Sequence, residues 1–162
     1  MRHFPVFAYR VIMFWRNKFN NLKKNLPHIY TLKHIIHREH LEKQILFLGF
    51  ISYEDVLRLS RYSIAVINPS LFEGWNTSVE EAKTIGKTCI LSSIPTHIEQ
   101  KPASVYYFDP NNAYALSSIL LQVWSKHVTG PDLKLELQAI KIVEERQKKF
   151  IETYASIIKE LL

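Results

Sequence analysis

Residues 64–92 are the part of the sequence that most restricts the possible folds. They begin with a β-branched apolar run at 64–67 and end with a second apolar run at 88–91. Between these runs lie a polar loop and a segment of helical periodicity from about Thr77 to Gly86. Strand, loop, helix and strand in this order indicate a βαβ unit of a parallel sheet. Because ligands bind outside the carboxyl ends of such strands, we expect the chemistry in the loop after residue 67.

The helix after this loop has recognisable signals at both ends. Thr77, followed three residues later by Glu80, predicts a capping box at its start. Gly86 predicts its end, because glycine adopts the left-handed conformation at little cost. Glu81 lies near the helix start, at the edge of the apolar face, and can turn towards the loop. The face expected to pack on the sheet is formed by Val79, Ala82 and Ile85.

The loop and the first turn of this helix suit an anion such as phosphate, because their backbone N–H groups lack intrahelical partners. Two acids, Glu73 and Glu81, flank these N–H groups in the sequence. Taken alone, Glu73 fits an ordinary acid in a surface loop, and Glu81 fits an ordinary acid near the start of a helix. Their interpretation therefore depends on the surrounding motif.

The segment PSLFEGWNTSVEEAKTIGK, residues 69–87, resembles the signature of retaining group 1 glycosyltransferases with the GT-B fold. In that family a Glu, seven residues and a second acid mark the site for the nucleotide-sugar donor. Glu73 and Glu81 have this spacing. The flanking segments LFLGFIS, ILSSIPTHIEQ and YYFDPNNAYALSSIL agree as well, so the resemblance covers about residues 28–125.

The resemblance implies a role for each site residue. Glu73 would be the catalytic acid that faces the donor sugar and steadies the transition state, and Glu81 would hold the nucleotide ribose. The N–H groups of residues 74–78 would bind sugar hydroxyls and the distal phosphate, with no metal or other cofactor. A side chain at Asn76, where the family commonly has glycine, is expected to narrow the space for the donor. The donor-binding residues are then Gly74, Trp75, Asn76, Thr77, Ser78 and Glu81.

The predicted fold class is α/β, a Rossmann-like parallel sheet flanked by helices that resembles the C-terminal half of a GT-B enzyme. We expect four parallel strands, at residues 45–50, 64–67, 88–91 and 105–108. Residues 28–125 would form the donor-binding domain, and residues 126–162 a C-terminal helical region in one or two pieces. Residues 1–27 are the least readable segment. Ser52 should cap a helix, and residues 93–102 should form a loop in which His97 and Glu99 either tie down the structure or contact the donor.

Three other residues could carry chemistry, but structural roles are favoured for them. His34 and His37 share one face of the helix predicted after Pro27, but the sequence offers no third ligand at a matching distance, so a solvated helix face is favoured over a metal site. Cys89, the one cysteine, lies in the apolar run 88–91, which favours a buried thiol over a nucleophile.

The charge balance suits anionic partners. Lys and Arg number 21 against 15 Asp and Glu, a net charge of +6 over 162 residues. A basic nucleic-acid-binding module is one alternative, but no aromatic platform or recognition-helix motif supports it, and we expect no nucleic-acid partner. No apolar stretch approaches the ~20 residues of a membrane span. We expect a cytoplasmic protein, with peripheral contact of the basic residues 16–24 with the inner membrane face as an option.

The function that the resemblance implies is sugar transfer from a nucleotide sugar to a saccharide or lipid-linked acceptor, as in polysaccharide biosynthesis. Family members carry an acceptor domain and an opening strand–loop–helix unit before this region, and we find neither before His28. We therefore expect the isolated chain to be inactive without an acceptor domain from a partner chain or a homo-oligomer. The alternative is a non-catalytic nucleotide-sugar-binding protein, or a subunit or remnant of a split glycosyltransferase.

Overall fold

A computed structural model of the chain describes residues 11–13, 27–49 and 51–161. The chain divides into two compact units, Met1–Val56 and Leu57–Leu162. The basic residues 16–24, the predicted membrane contact, lie outside the described residues. The domain boundaries expected after residues 27 and 125 stay a prediction. None of the helices in the described part of the chain combines the length and the apolar character that crossing a bilayer requires.

The first unit contains strands β1 (Val11–Met13) and β2 (Ile45–Phe47) and helix α1 (Pro27–Arg38). β1 and β2 pair in parallel, with Val11 opposite Ile45. The strand predicted at residues 45–50 is thus confirmed over its first three residues, and Phe50 lies outside the described residues. Its expected place in one four-stranded sheet is wrong, because β2 pairs with β1 in a separate sheet. Local periodicity identifies a strand but does not specify its partner.

Helix α2 (Tyr53–Tyr62) begins where the sequence predicts. The Ser52 hydroxyl accepts the N–H of Asp55 at 3.2 Å and donates to the Asp55 carboxylate at 2.7 Å. This exchange satisfies one of the N–H groups that a helix start leaves without a partner, which confirms Ser52 as the cap. On α1, His34 and His37 are exposed, and His37 bonds to Glu42 at 2.8 Å.

The second unit is a parallel α/β sandwich. Its elements are β3 (Val66–Asn68), α3 (Thr77–Thr84), β4 (Cys89–Ser92), α4 (Pro95–Gln100), β5 (Val105–Phe108), α5 (Ala113–Lys126) and α6 (Leu133–Leu161). The strands are hydrogen-bonded in the order β3-β4-β5, with Val66 of β3 opposite Cys89 of β4, and Cys89 opposite Val105 of β5. The predicted fold class, a parallel sheet flanked by helices, is confirmed.

Helices cover both faces of this sheet, and the central strand β4 is buried along its whole length. Cys89 and Leu91 pack against Val79 and Ala82 of α3, which confirms these two residues of the predicted apolar face. Ile85, the third, is half-buried and follows the last residue of the helix. Ile90 points the other way and packs with residues of α5 and β5. Burial raises the pKa of the Cys89 thiol to about 12. A thiol with so high a pKa is a poor nucleophile, so Cys89 is a core residue, as expected.

The end of α3 lies against the start of α6. Gly86 has φ +59°, the left-handed conformation predicted for it, and a Cβ at this position would lie 2.4 Å from the carbonyl carbon of Leu135. Glycine is thus required at position 86 both by the backbone angle and by the closeness of α6.

A bidentate ion pair lies nearby. The Arg61 guanidinium donates to both oxygens of the Glu136 carboxylate, at 2.7 and 3.0 Å. These hydrogen bonds from Arg61 lower the pKa of Glu136.

Two predicted features of this unit are corrected or sharpened by the structure. The loop expected at residues 93–102 is wrong in its middle, because Pro95–Gln100 is helical. Pro95 occupies the first turn, where its missing N–H costs nothing, and Lys101 ends the helix with φ +41°. The C-terminal helical region is one continuous helix of 29 residues.

Candidate functional site

The predicted site lies in the loop that leaves β3, residues 69–76, here called the acid loop because it carries Glu73. β3 ends at Asn68 and its parallel neighbour β4 ends at Ser92. The carboxyl ends of parallel neighbours meet at one edge of the sheet, so the acid loop and α4, which follows β4, are brought together there. This edge is where open α/β sheets bind ligands.

The Glu73 carboxylate is oriented by its own loop. Its Oε1 accepts a hydrogen bond from the Ser70 hydroxyl at 2.6 Å and a longer one from Asn76 Nδ2 at 3.4 Å. Ser70 is itself held in a tight turn, since its N–H donates to Asn68 Oδ1 at 3.0 Å. The acid is half-buried, so these bonds to a charged group are stronger than ordinary neutral ones.

Two side chains from the next strand and helix fasten the backbone of the acid loop. The Ser92 hydroxyl donates to the carbonyl oxygen of Ser70 at 2.5 Å, and the Thr96 hydroxyl donates to that of Glu73 at 2.8 Å. Because Ser92 ends β4 and Thr96 lies on α4, the position of the acid is set by the neighbouring βα connection. Neither of these two residues was among the predicted site residues.

Asn76, not Thr77, caps helix α3. The Asn76 Oδ1 accepts the N–H of Val79 at 3.3 Å, and Thr77 is the first helical residue. The predicted capping box between Thr77 and Glu80 is therefore wrong. The Glu80 carboxylate instead accepts from Lys83 at 2.8 Å and from Gln100 of α4 at 3.0 Å, and Arg146 of α6 lies 3.6 Å from it.

The Asn76 side chain is engaged within the protein, and the narrowing of the donor space expected from it stays a prediction. This side chain belongs to a residue only 4 % exposed, and it bonds to Val79, Glu73 and His97. The carbonyl oxygen of Asn76 accepts from Gln100 Nε2 at 2.8 Å. A residue with these contacts is occupied in holding α3 and the acid loop together.

His97 of α4 is completely buried and ties the same parts together. Its Nδ1 lies 2.9 Å from the Ser92 carbonyl oxygen, and its Nε2 lies 3.1 Å from Asn76 Nδ2. Its own carbonyl oxygen accepts from the Tyr107 hydroxyl at 3.1 Å. Of the two roles expected for His97, the structural tie fits its burial. Glu99, on the same helix, is exposed.

The other predicted site residues lie along the same segment with different exposures. Gly74, Trp75 and Thr77 are exposed, and a Cβ built on Gly74 would meet nothing within 4 Å. Ser78 and Glu81 are half-buried on α3, and Glu81 has an interaction partner within the protein. The seven predicted residues thus occupy the acid loop and the first five residues of α3. Ser92, Thr96 and Gln100 were missed. Small polar residues after a buried apolar run are the signal that could have identified Ser92 and Thr96.

The described ranges contain no group of three or more His, Cys, Asp or Glu residues arranged to hold a metal ion. A cavity of about 400 Å³ opens away from the acid loop, beside the residues that precede β3 and β4. There the buried Lys87 ammonium donates to the carbonyl oxygens of Arg61 and Gly130 at 3.1 and 2.9 Å. Burial lowers the pKa of Lys87, and its contacts are those of a structural cross-link.

Comparison with protein families identifies a match. A family model described as "Glycosyl transferases group 1" matches residues 25–146, a range that contains the acid loop and helices α3 and α4. No curated protein matches the chain significantly.

Proposed function

Because the chain belongs to the group 1 glycosyltransferases, we propose that it binds a nucleotide-sugar donor at the acid loop and the start of α3. In this proposal it is the donor half of a retaining enzyme with the GT-B fold. The supporting observation is the Glu73 carboxylate, which Ser70 and Asn76 hold beside the first turn of α3. Such an arrangement places a fixed negative charge and a helix N-terminus at the ligand-binding edge of the sheet.

The proposed roles follow from charge and hydrogen bonding. The Glu81 carboxylate holds the ribose hydroxyls of the nucleotide through charge-assisted hydrogen bonds. Glu73 faces the donor sugar and stabilises the positive charge that develops on it during transfer. The Val79 N–H already serves the cap, so the N–H groups of residues 74–78 remain for sugar hydroxyls and the distal phosphate. The helix dipole and these N–H groups balance the phosphate charge, and no metal is required.

The proposed reaction moves the sugar to a saccharide or lipid-linked acceptor, as in polysaccharide biosynthesis on the cytoplasmic side of a membrane. Transfer needs donor and acceptor in one cleft, and positioning of this kind can supply roughly 7–11 kcal/mol of the barrier reduction. We therefore assign acceptor binding to an acceptor domain that completes the cleft.

Calorimetric titration of the full chain with UDP-, GDP-, ADP- and dTDP-sugars tests the donor site. At least one sugar should bind, the matching free diphosphate should compete with it, and EDTA should leave the affinity unchanged. Lack of binding across the panel would overturn the proposal. A transfer assay with a radiolabelled form of the bound donor, run with and without an acceptor domain from a relative, then separates an enzyme from a protein that only binds the donor.

A further inference from the structure

We propose that His97 is a positioning residue for the acid loop, and that it acts through one defined tautomer, with the proton on Nδ1. In this form His97 fixes the orientation of the Asn76 amide, and the amide in turn orients the Glu73 carboxylate. The structural part of this inference stands on the hydrogen bonds alone. Its consequence for donor affinity rests on the proposed function.

The proton on Nδ1 follows from what faces that nitrogen. The Ser92 carbonyl oxygen, 2.9 Å away, can only accept a hydrogen bond. The Ser92 hydroxyl, 3.2 Å away, already donates its one hydrogen to the carbonyl oxygen of Ser70, so it too can only accept from His97. Both neighbours of Nδ1 therefore require an N–H at this position.

The other nitrogen, Nε2, faces a group that donates. The Asn76 Oδ1 is committed to the N–H of Val79, a group that can only donate, and this contact fixes which end of the amide is oxygen. The NH₂ end of Asn76 then lies 3.1 Å from His97 Nε2, which must accept. The two ends of the imidazole thus specify the same tautomer independently.

This tautomer leaves the Asn76 amide with one satisfactory orientation. One NH₂ hydrogen donates to His97 Nε2 and the other is directed at Glu73 Oε1, 3.4 Å away. Turning the amide over would set its NH₂ against the Val79 N–H and its oxygen against the Glu73 carboxylate. Both contacts would be repulsive, and the His97 Nε2 acceptor supports the same orientation from a third side, so His97 helps to hold the amide that caps α3 and contacts the acid.

Because His97 and Asn76 are buried, water cannot readily replace the hydrogen bond between them. His97 is 0 % exposed and Asn76 is 4 % exposed, so a hydrogen bond lost between them leaves a buried polar group without a partner. The Tyr107 hydroxyl, bonded to the carbonyl oxygen of His97, holds α4 in place from the neighbouring strand β5. The imidazole therefore has little freedom to change its partners.

Two substitutions test the roles of the two imidazole nitrogens separately. In His97→Gln, the side-chain oxygen reaches the place of Nε2 and can still accept from Asn76. In His97→Asn, the side-chain NH₂ takes the place of Nδ1 and can still donate to Ser92, but nothing accepts from Asn76. Glu99→Gln, an exposed change on the same helix, is the matched control.

The first measurement is the long-range ¹H–¹⁵N spectrum of the full chain, which reports the protonation of each imidazole nitrogen. We expect His97 to show a protonated Nδ1 and an unprotonated Nε2, and the reverse would overturn the inference whether or not a donor binds. In His97→Gln and Glu99→Gln the backbone amide signals of residues 70–76 should stay near their wild-type positions. In His97→Asn they should shift together with the Asn76 NH₂ signals. Equal shifts in the two His97 variants would also overturn the inference.

The second measurement is the affinity for whichever nucleotide sugar binds the wild type, taken well below the unfolding temperature of each variant. His97→Gln should bind within about threefold of wild type, and His97→Asn about tenfold more weakly, as for one lost hydrogen bond. The opposite ranking would overturn the link to donor binding. If the wild type binds none of the nucleotide sugars, the proposed function fails, while the spectra still decide the role of His97.

Discussion

The hydroxyl of Thr96 donates to the carbonyl oxygen of Glu73 across 2.8 Å, joining residues that are 23 positions apart in the chain. This bond fastens the backbone of the acid loop to α4, whereas the carboxylate of the same residue is oriented within the loop by Ser70. Position and orientation of the candidate catalytic acid thus depend on different hydrogen bonds, and they can be perturbed separately.

Replacing Thr96 by Val should release the acid loop from α4 while keeping the shape of the side chain. We expect the free energy of unfolding to fall by about 0.5–1.5 kcal/mol, the usual net contribution of one hydrogen bond. Urea unfolding measures this change, and Thr96→Ser, which keeps the hydroxyl, should remain closer to wild type. A Val variant as stable as wild type, with unchanged amide signals in residues 70–76, would show that the bond does not hold the loop.

Replacing Glu80 by Ala should lower the free energy of unfolding by about 1 kcal/mol, because the Gln100 amide loses a carboxylate partner and the Lys83 ion pair is lost. The exposed Thr77→Ala variant should be nearly neutral, since Asn76 is the cap. Thermal unfolding of both variants separates this account from a capping box. A capping box between Thr77 and Glu80 would make the two substitutions comparably destabilising.

Replacing Gly86 by Ala should be strongly destabilising, by about 2–4 kcal/mol. The new Cβ would have to adopt φ +59° and would meet the backbone of Leu135 at 2.4 Å. Gly74→Ala is the matched control for stability, because a Cβ there meets nothing within 4 Å. Denaturant unfolding compares the two, and similar midpoints would mean that α6 does not approach α3 this closely.

Cys89 should make the fold less stable at alkaline pH. Its thiol has a folded-state pKa of about 12 against an ordinary value of 9.0. The unfolded chain therefore loses this proton first as the pH rises. The stabilising contribution is complete below pH 9.0 and declines by about 1.4 kcal/mol per pH unit until the folded-state pKa is reached.

The measurement is urea unfolding at several alkaline pH values, in parallel on wild type and Cys89→Ala. The variant removes this titration and keeps those of the lysines and tyrosines, so the stability difference between the two proteins should change with pH. A constant difference over the alkaline range would show that the thiol is not buried as described.

Local signals in the sequence predicted the elements better than their connections. The βαβ unit, the Ser52 cap and the left-handed Gly86 were all predicted, because each depends on residues close together in the chain. The separate pairing of β2 with β1 depends on contacts between distant segments, which periodicity does not encode. Helix α4 was missed although Pro95 is a recognised start signal, since the segment is short and rich in loop-forming residues.

In the candidate site, too, the sequence predicts features set by neighbouring residues better than those set by tertiary contacts. The acids at 73 and 81 follow from the spacing of the motif. The choice between Asn76 and Thr77 as cap does not, because both residue types cap helices well and lie next to each other. Tertiary contacts decide it: His97 and Gln100, which lie on another helix, bind Asn76 from the side. Such contacts become visible only once α4 is placed against the acid loop.

The proposed donor site is tested by the affinity of Glu81→Gln for the nucleotide sugar that wild type binds most tightly. Binding should be about 10- to 150-fold weaker than wild type, for the loss of one charged hydrogen-bonding partner, with the fold intact. Glu80→Gln, one residue earlier and directed at Lys83 and Gln100, should bind nearly as wild type does. Calorimetric titration of the three proteins under identical conditions provides the comparison. Equal affinities for wild type and Glu81→Gln would exclude Glu81 from the site and contradict donor binding at the start of α3.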